Sequence, residues 1–355
     1  MKSAVGTIFG LFFTVGYAVA QPPKVTEQTI PLERFGFKAG SCDSRQSAQF
    51  LDDDRLVLSA PLVGVCDKSN WSNALQTQLT VIDLHGAVLA TKTRPDVYAM
   101  RAGPIGYAAV CTESSLDLVS GDLSTARVVS IRHDKFSPCS DIKGLSPSRR
   151  AISVRDFGES PKSFARHRLI DAKSEKPIAE QQFGKGDYLA GITDSGYAVC
   201  TSVGHQVCEQ LTVDGSAWVV GFHGVVSHQG LFLTPSELLL PPLRTEKALI
   251  SVFPDGKQEQ VANLREFQPP NVDNSSVQIS ATNPRRILYS ATGCYIGDFD
   301  DCYGFIFERV VVFDPQTHQA LFKQKVGRDA ISILSPNGHT VLVLDKTKLH
   351  IYMIP

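Results

Sequence analysis

Short β-branched runs between turn residues, a hairpin that recurs along the chain, and a first strand with no hairpin partner together predict an all-β fold. The architecture they predict is a seven-bladed β-propeller of four-stranded antiparallel sheets. The runs include Arg55-Leu56-Val57-Leu58-Ser59, Leu79-Thr80-Val81-Ile82, Ala248-Leu249-Ile250-Ser251-Val252-Phe253 and Val310-Val311-Val312-Phe313. Each is apolar or alternating and is bounded by Gly, Pro, Asp, Asn or Ser, which is how strands and their turns read in a sequence. The nearest approach to an amphipathic helix, Pro241 to Leu249, is broken by prolines and by Arg244.

The repeat is carried by one hairpin: an apolar strand, a turn containing aspartate, then a strand of mixed polarity. It reads Val81-Ile82-Asp83-Leu84-His85-Gly86-Ala87-Val88-Leu89, then Leu169-Ile170-Asp171-Ala172-Lys173. Later copies are Leu211-Thr212-Val213-Asp214-Gly215, Val252-Phe253-Pro254-Asp255-Gly256-Lys257 and Val312-Phe313-Asp314-Pro315-Gln316; Ser120-Gly121-Asp122-Leu123-Ser124 is looser. Aspartate suits such turns because its carboxylate bonds the backbone a few residues on, and glycine because it accepts positive φ. Successive turn aspartates stand about 40 to 60 residues apart, close to the length of a propeller blade. Two further strands precede each hairpin, which makes four per blade.

A seventh unit closes the chain, from Ala330-Ile331-Ser332-Ile333-Leu334-Ser335-Pro336-Asn337-Gly338 through Thr340-Val341-Leu342-Val343-Leu344 to Leu349-His350-Ile351-Tyr352-Met353. It resembles the inner three strands of WD40-, YVTN- and TolB-type blades, with Ser335-Pro336-Asn337-Gly338 standing for their Ser-Pro-Asp-Gly turn; Ser146-Pro147-Ser148-Arg149 is a degenerate relative. The resemblance implies a secreted propeller of bacterial type and no particular activity, because the fold hosts enzymes, receptors and scaffolds. The last unit has three strands, and Val25-Thr26-Glu27-Gln28-Thr29-Ile30-Pro31-Leu32 has no hairpin partner. The N-terminal strand is therefore expected in the outer position of the last blade, closing the ring and removing its open edge.

Residues 1–20 read as a signal peptide and residues 21–355 as one propeller domain. Lys2 precedes an apolar, uncharged run over residues 4–15, and Ala18-Val19-Ala20 offers small residues at the cleavage positions. An uncleaved anchor would need about 17 apolar residues or more, and the whole uncharged stretch from Lys2 to the cleavage point barely reaches that length. No cysteine sits at the cleavage point, the first being Cys42, which argues against a lipid anchor. The expected destination is the periplasm or the exterior, with no membrane insertion after cleavage. Formal net charge is −1, so no electrostatic attraction to nucleic acid or anionic lipid is expected.

All 8 cysteines lie beyond the signal, and an even count in an exported chain reads as disulfides. Cys42 and Cys66 are centred on Asp54, Cys200 and Cys208 on Gly204, Cys294 and Cys302 on Asp298. These centres are turn formers, so each pair is expected to face across a hairpin; Cys111 and Cys139 pair by exclusion. Zinc would require the CxxC knuckle, which is absent.

Candidate chemistry is sparse. The loop from Cys294 to Cys302 gathers Asp298, Asp300 and Asp301, a possible calcium set, but it lacks the ligand alternation and bidentate Glu of an EF-hand, so a solvated turn is expected. Asp52-Asp53-Asp54 is expected to point its carboxylates apart into water. His223 and His228 flank Gly224-Val225-Val226-Ser227 with no acidic partner at a recognisable spacing. Asn70-Trp71-Ser72 and Asn274-Ser275-Ser276 match the glycosylation sequon and stand in sequence that reads as loop. Two tryptophans, Trp71 and Trp218, are too few for the repeated Trp motifs of quinone-dependent dehydrogenase propellers.

No catalytic residue and no cofactor is assigned. The expected function is a monomeric, non-catalytic binding or scaffolding propeller for a protein, peptide or glycan. The alternative is an extracytoplasmic hydrolase, lyase or lactonase with a site at the channel mouth.

Overall fold

The computed structural model describes residues 25–37, 46–63, 76–95, 97, 99–112, 115–130, 142–156, 166–202, 208–219, 229–242, 247–267, 272–296, 302–327, 330–345 and 347–355. For 62–63, 126–130, 156, 272–274, 293–296 and 302–308 it describes the backbone alone. The chain forms seven antiparallel sheets of four strands each. Blades 1 to 6 cover residues 47–94, 99–130, 142–182, 187–218, 231–263 and 272–326, with their strands in chain order. Blade 7 runs Ile331–Leu334, Thr340–Leu344 and Lys348–Met353, and its outer strand is Thr26–Pro31. Thr26 pairs with Met353 and Pro31 with Lys348, so the N-terminal strand closes the ring as the sequence predicts.

The first strand of each blade is innermost, and first strands touch between blades 7 and 1, 1 and 2, 4 and 5, 5 and 6, and 6 and 7. Seven apolar clusters hold the ring, one between each pair of successive blades. The largest side chains in them include Phe50, Leu56 and Ile82 between blades 7 and 1, and Tyr289 and Phe313 between blades 5 and 6. Each sheet therefore buries both faces of its middle strands, which is why these read as continuous apolar runs. The fourth strands, at the rim, are polar, as in Val88–Arg94, where no residue is buried.

The repeated aspartates are turn formers. Asp83 Oδ1 accepts from His85 N and Ala87 N, Asp171 Oδ1 from Lys173 N and Ser174 N, Asp255 Oδ1 from Lys257 N, and Asp314 Oδ1 from Gln316 N. Asp214 itself sits at φ 49 with Gly215 at φ 81, a two-residue turn with both centres left-handed.

Three sequence expectations are corrected here. Asp52 and Asp53 are not given over to water: Asp52 accepts from Asp54 N and Arg55 N and holds the Arg55 guanidinium at 2.6 Å, and Asp53 accepts from Asn337 N of blade 7. Asn274 stands in the strand Val272–Ile279, opposite Thr292, because the alternation of Val277 and Ile279 carries the strand back through the polar Asn-Ser-Ser run.

Third, Cys200 and Cys208 are bonded as expected, but neither they nor Cys294 and Cys302 are directly opposed across their hairpins. Cys200 bonds Cys208 with 5.6 Å between Cα atoms, yet it pairs in the sheet with Leu211; the bond closes the loop beyond the paired strands. Cys294 stands opposite Phe305 and Cys302 opposite Ile296, because bulges on either side of Cys294 shift the register. Cys111, at the end of the second strand of blade 2, is disulfide-bonded, and no described cysteine is free. Cys42, Cys66 and Cys139, the side chains of Cys294 and Cys302, and residues 1–20 lie outside the described residues.

Candidate functional site

All seven innermost strands contribute to one central cavity of about 440 Å³. Its walls are mainly aliphatic, from Ile142, Ile192, Leu231, Ile279 and Ile331, with Gln49, Arg101 and Lys143 among them. The described lining holds three cations, Arg101, Lys143 and Arg149, and no carboxylate or imidazole.

The wall is tightened by bonds between inner strands that do not share a sheet. Gln278 of blade 6 donates to Ser332 O at 2.8 Å and accepts from Leu334 N at 3.1 Å, tying its strand to that of blade 7. Gly230 N of blade 5 donates to Ala190 O of blade 4 at 2.7 Å. Gly144 is needed for room and for backbone: it sits at φ +146, and a Cβ there would meet Ile192 Cδ1 at 3.1 Å and Gln229 Nε2 at 3.2 Å.

One end of the cavity is floored by the turns that join first to second strands. Gly106 N donates to Leu51 O, Ile105 N to Arg149 O and Ala281 N to Pro336 O, linking blades 2 to 1, 2 to 3 and 6 to 7. Ser148 gives both its N and its Oγ to Asp194 of blade 4. Arg285 of blade 6 crosses the ring, with Nη1 on Pro147 O of blade 3 at 2.8 Å. Ser146, Pro147 and Arg149 of that same blade 3 turn line the cavity.

This turn and its relative in blade 7 have the same construction. Arg149 N donates to Ser146 O and Gly338 N to Ser335 O, and the two serine hydroxyls accept from Ala151 N and Thr340 N. Both fourth residues are left-handed, Gly338 at φ 79 and Arg149 at φ 53. A glycine takes that conformation freely, whereas a residue with a side chain pays about 1–2 kcal/mol.

Arg149 is also buried, with 9% exposure. Nη2 donates to Gly103 O at 2.9 Å and Phe50 O at 3.4 Å, while Nε is buried with no partner. Among the described residues no carboxylate forms an ion pair with it. Burial lowers its pKa to about 10 and the field of Asp53 offsets part of that, so it is charged at neutral pH. Arg101, on Ala99–Ala102, is exposed and has no ion-pair or hydrogen-bond partner among the described residues.

A second cleft of about 440 Å³ separates blades 3 and 4, and its acids are engaged structurally. Glu180 is held by Arg166, Asp187 accepts from Gly184 N and Thr201 Oγ1, and Asp214 accepts from Thr193 and Ser195 hydroxyls. Between the same blades lies His167, 6% exposed, packed on Phe183 with ring centroids 4.3 Å apart. Its pKa falls to about 4, first through burial and then through the charges of Lys143 and Arg155.

Asp298, Asp300, Asp301, His223 and His228 lie outside the described residues. Among the described residues no cluster of His, Cys, Asp and Glu suits a metal ion, and no helix is long and apolar enough to cross a membrane. The cavity cations went unnoticed in the sequence because they come from separate inner strands and one turn. One signal was visible: an arginine where the sister Ser-Pro turn has glycine.

No family model matches the sequence, and no curated protein matches it. The fold is similar to the β-propeller domain of the Trilobed protease from Pyrococcus furiosus, described as having an open velcro topology: 12% identity, TM-score 0.51, over 89% of this chain and 94% of that one. It is also similar to an oligogalacturonate lyase in complex with manganese (12%, TM-score 0.46, 93% and 96%). A third likeness is to the Neurospora crassa Pan2 WD40 domain (9%, TM-score 0.41, 94% and 97%). At 12% identity the likeness to the Trilobed protease domain speaks to the propeller fold and to nothing finer.

Proposed function

We propose that this chain is an exported, non-catalytic binding propeller that holds its partner at the central cavity. The observation that carries the reading is the convergence of all seven inner strands on one cavity of about 440 Å³, within the size range of ligand sites. Its described lining of aliphatic groups, amides and cations is suited to holding a group rather than to moving a proton. Export rests on the apolar run and cleavage pattern of residues 1–20, and the bonded Cys111, Cys200 and Cys208 agree with an oxidising compartment. The partner class is a protein, peptide or glycan.

The test is binding to peptide and oligosaccharide arrays by the purified protein and by Leu231→Trp, whose indole would project into the cavity and obstruct it. Ligands retained by the parent should be lost by the variant at an unchanged thermal midpoint. Retention of the same ligands by a folded Leu231→Trp protein would place the site elsewhere and overturn the reading.

A further inference from the structure

We infer that the central cavity is an anion site, and that its occupant is the C-terminal carboxylate of a peptide ending in an aliphatic residue. The inference rests on the reading of the cavity as the binding site and gives that site its chemistry.

Arg149 is the starting point. It occupies the left-handed position that glycine fills in the matching turn of blade 7, and it buries a guanidinium whose Nε finds no partner. Backbone strain and a buried charge that has no ion-pair partner among the described residues, and that the field of Asp53 offsets only in part, are both unfavourable, and both are removed by glycine. Strain of this kind, where it is found, points to a role for the side chain that imposes it. The two carbonyls of Phe50 and Gly103 satisfy donors on Arg149 but supply no negative charge. A carboxylate entering the cavity would supply it.

The rest of the lining fits the same occupant. Arg101 stands on the neighbouring inner strand without a described partner, Lys143 adds a third positive charge, and no described lining residue is acidic. A carboxylate is planar and matches the guanidinium fork of arginine. Pro147 stands among the lining residues and accepts from Arg285 across the ring, an arrangement that suits the end of a chain better than a loop passing through. Ile142, Ile192, Leu231, Ile279 and Ile331 suit an aliphatic last side chain, and Phe232 is the one aromatic residue in the described lining.

The experiment is fluorescence anisotropy with an N-terminally labelled pentapeptide ending in leucine, prepared with a free carboxylate and, separately, as the C-terminal amide. The carboxylate form should bind at least tenfold more tightly than the amide, and more weakly as salt is raised. Arg101→Gln, at an exposed position, should lose tenfold or more. Arg149→Gly, which keeps the backbone at ease, should lose at least as much, and Leu231→Trp should abolish binding. Equal affinity for the two peptides would overturn the anion site while leaving the cavity as a binding site. Absence of binding by both peptides and by free 4-methylpentanoate at millimolar concentration overturns the anion site as well. Binding that survives Leu231→Trp overturns the anion site and the cavity reading together. Free 4-methylpentanoate that binds where the peptide does not would overturn the peptide as the source.

Discussion

His167 shows what a single residue contributes to the ring. It lies between blades 3 and 4 against Phe183 and Tyr197, and the phenol of Tyr197 meets Ser153 Oγ at 3.3 Å. Lys143 and Arg155 face it from the first and second strands of blade 3, and its Nδ1 is buried without a partner. A proton added there is met by burial and by two like charges. Because its folded pKa, about 4, lies below the ordinary 6.5, the unfolded chain binds the proton more readily. Its contribution to stability is complete above pH 6.5 and is lost as pH falls from 6.5 to 4, by about 3 kcal/mol in all. Urea melts at pH 7 and at pH 4.5 should show this loss in the parent and a shallower one in His167→Phe. Equal acid sensitivity in the two proteins would show that His167 is not the group responsible.

At the scale of strands and blades, the ring is held by apolar clusters between sheets and by a few polar ties. The ion pair of Arg94 with Asp117 joins the outer strand of blade 1 to the third strand of blade 2 at 2.7 Å, with side chains 14% and 5% exposed, and Ser115 Oγ donates to the same carboxylate. Removing the arginine alone leaves a buried carboxylate without its counter-charge. Arg94→Ala should therefore cost about 3–5 kcal/mol, whereas the double change Arg94→Met, Asp117→Leu should be close to neutral. Denaturation midpoints of the three proteins decide it, and a double variant as unstable as the single one would show that the site is packing-limited. Sequence patterning reached this level in part. Middle strands buried on both faces read as apolar runs, and aspartate turns read as turns, since those signals are local. The bond between Cys200 and Cys208 was legible, whereas their offset from direct opposition and the bulges flanking Cys294 were not. Register depends on how a whole sheet seats against its neighbours, which turn centres alone do not specify.

For the molecule as a whole, closure is the decisive feature. Thr26–Pro31 brings the first residues of the ring to its last sheet, and Ile30, 1% exposed, packs with Leu349 and Ile351 of blade 7 and Phe50 of blade 1. Truncating that side chain removes packing from both blades at the point where the ring is latched. Ile30→Ala should cost about 2–5 kcal/mol, while Thr26→Ala on the exposed end of the same strand should stay within about 0.5 kcal/mol. Calorimetry of both variants tests the latch: equal midpoints would mean the strand is not docked.

Sequence alone determined the class, the repeat, the blade number and the closing strand. Each of these rests on local chemistry: apolar alternation, an aspartate that bonds its own turn, and a strand left without a hairpin partner. Tertiary structure decided the cavity. Arg101, Lys143 and Arg149 are unremarkable on a line, and only the closure of seven inner strands around one axis brings them to a single cavity. The Ser146-Pro147-Ser148-Arg149 turn looked like a weakened copy of its relative in blade 7. Folding shows a fully formed turn in which the glycine position carries a buried charge, and burial and charge balance are properties of the space around a residue, not of its neighbours in sequence.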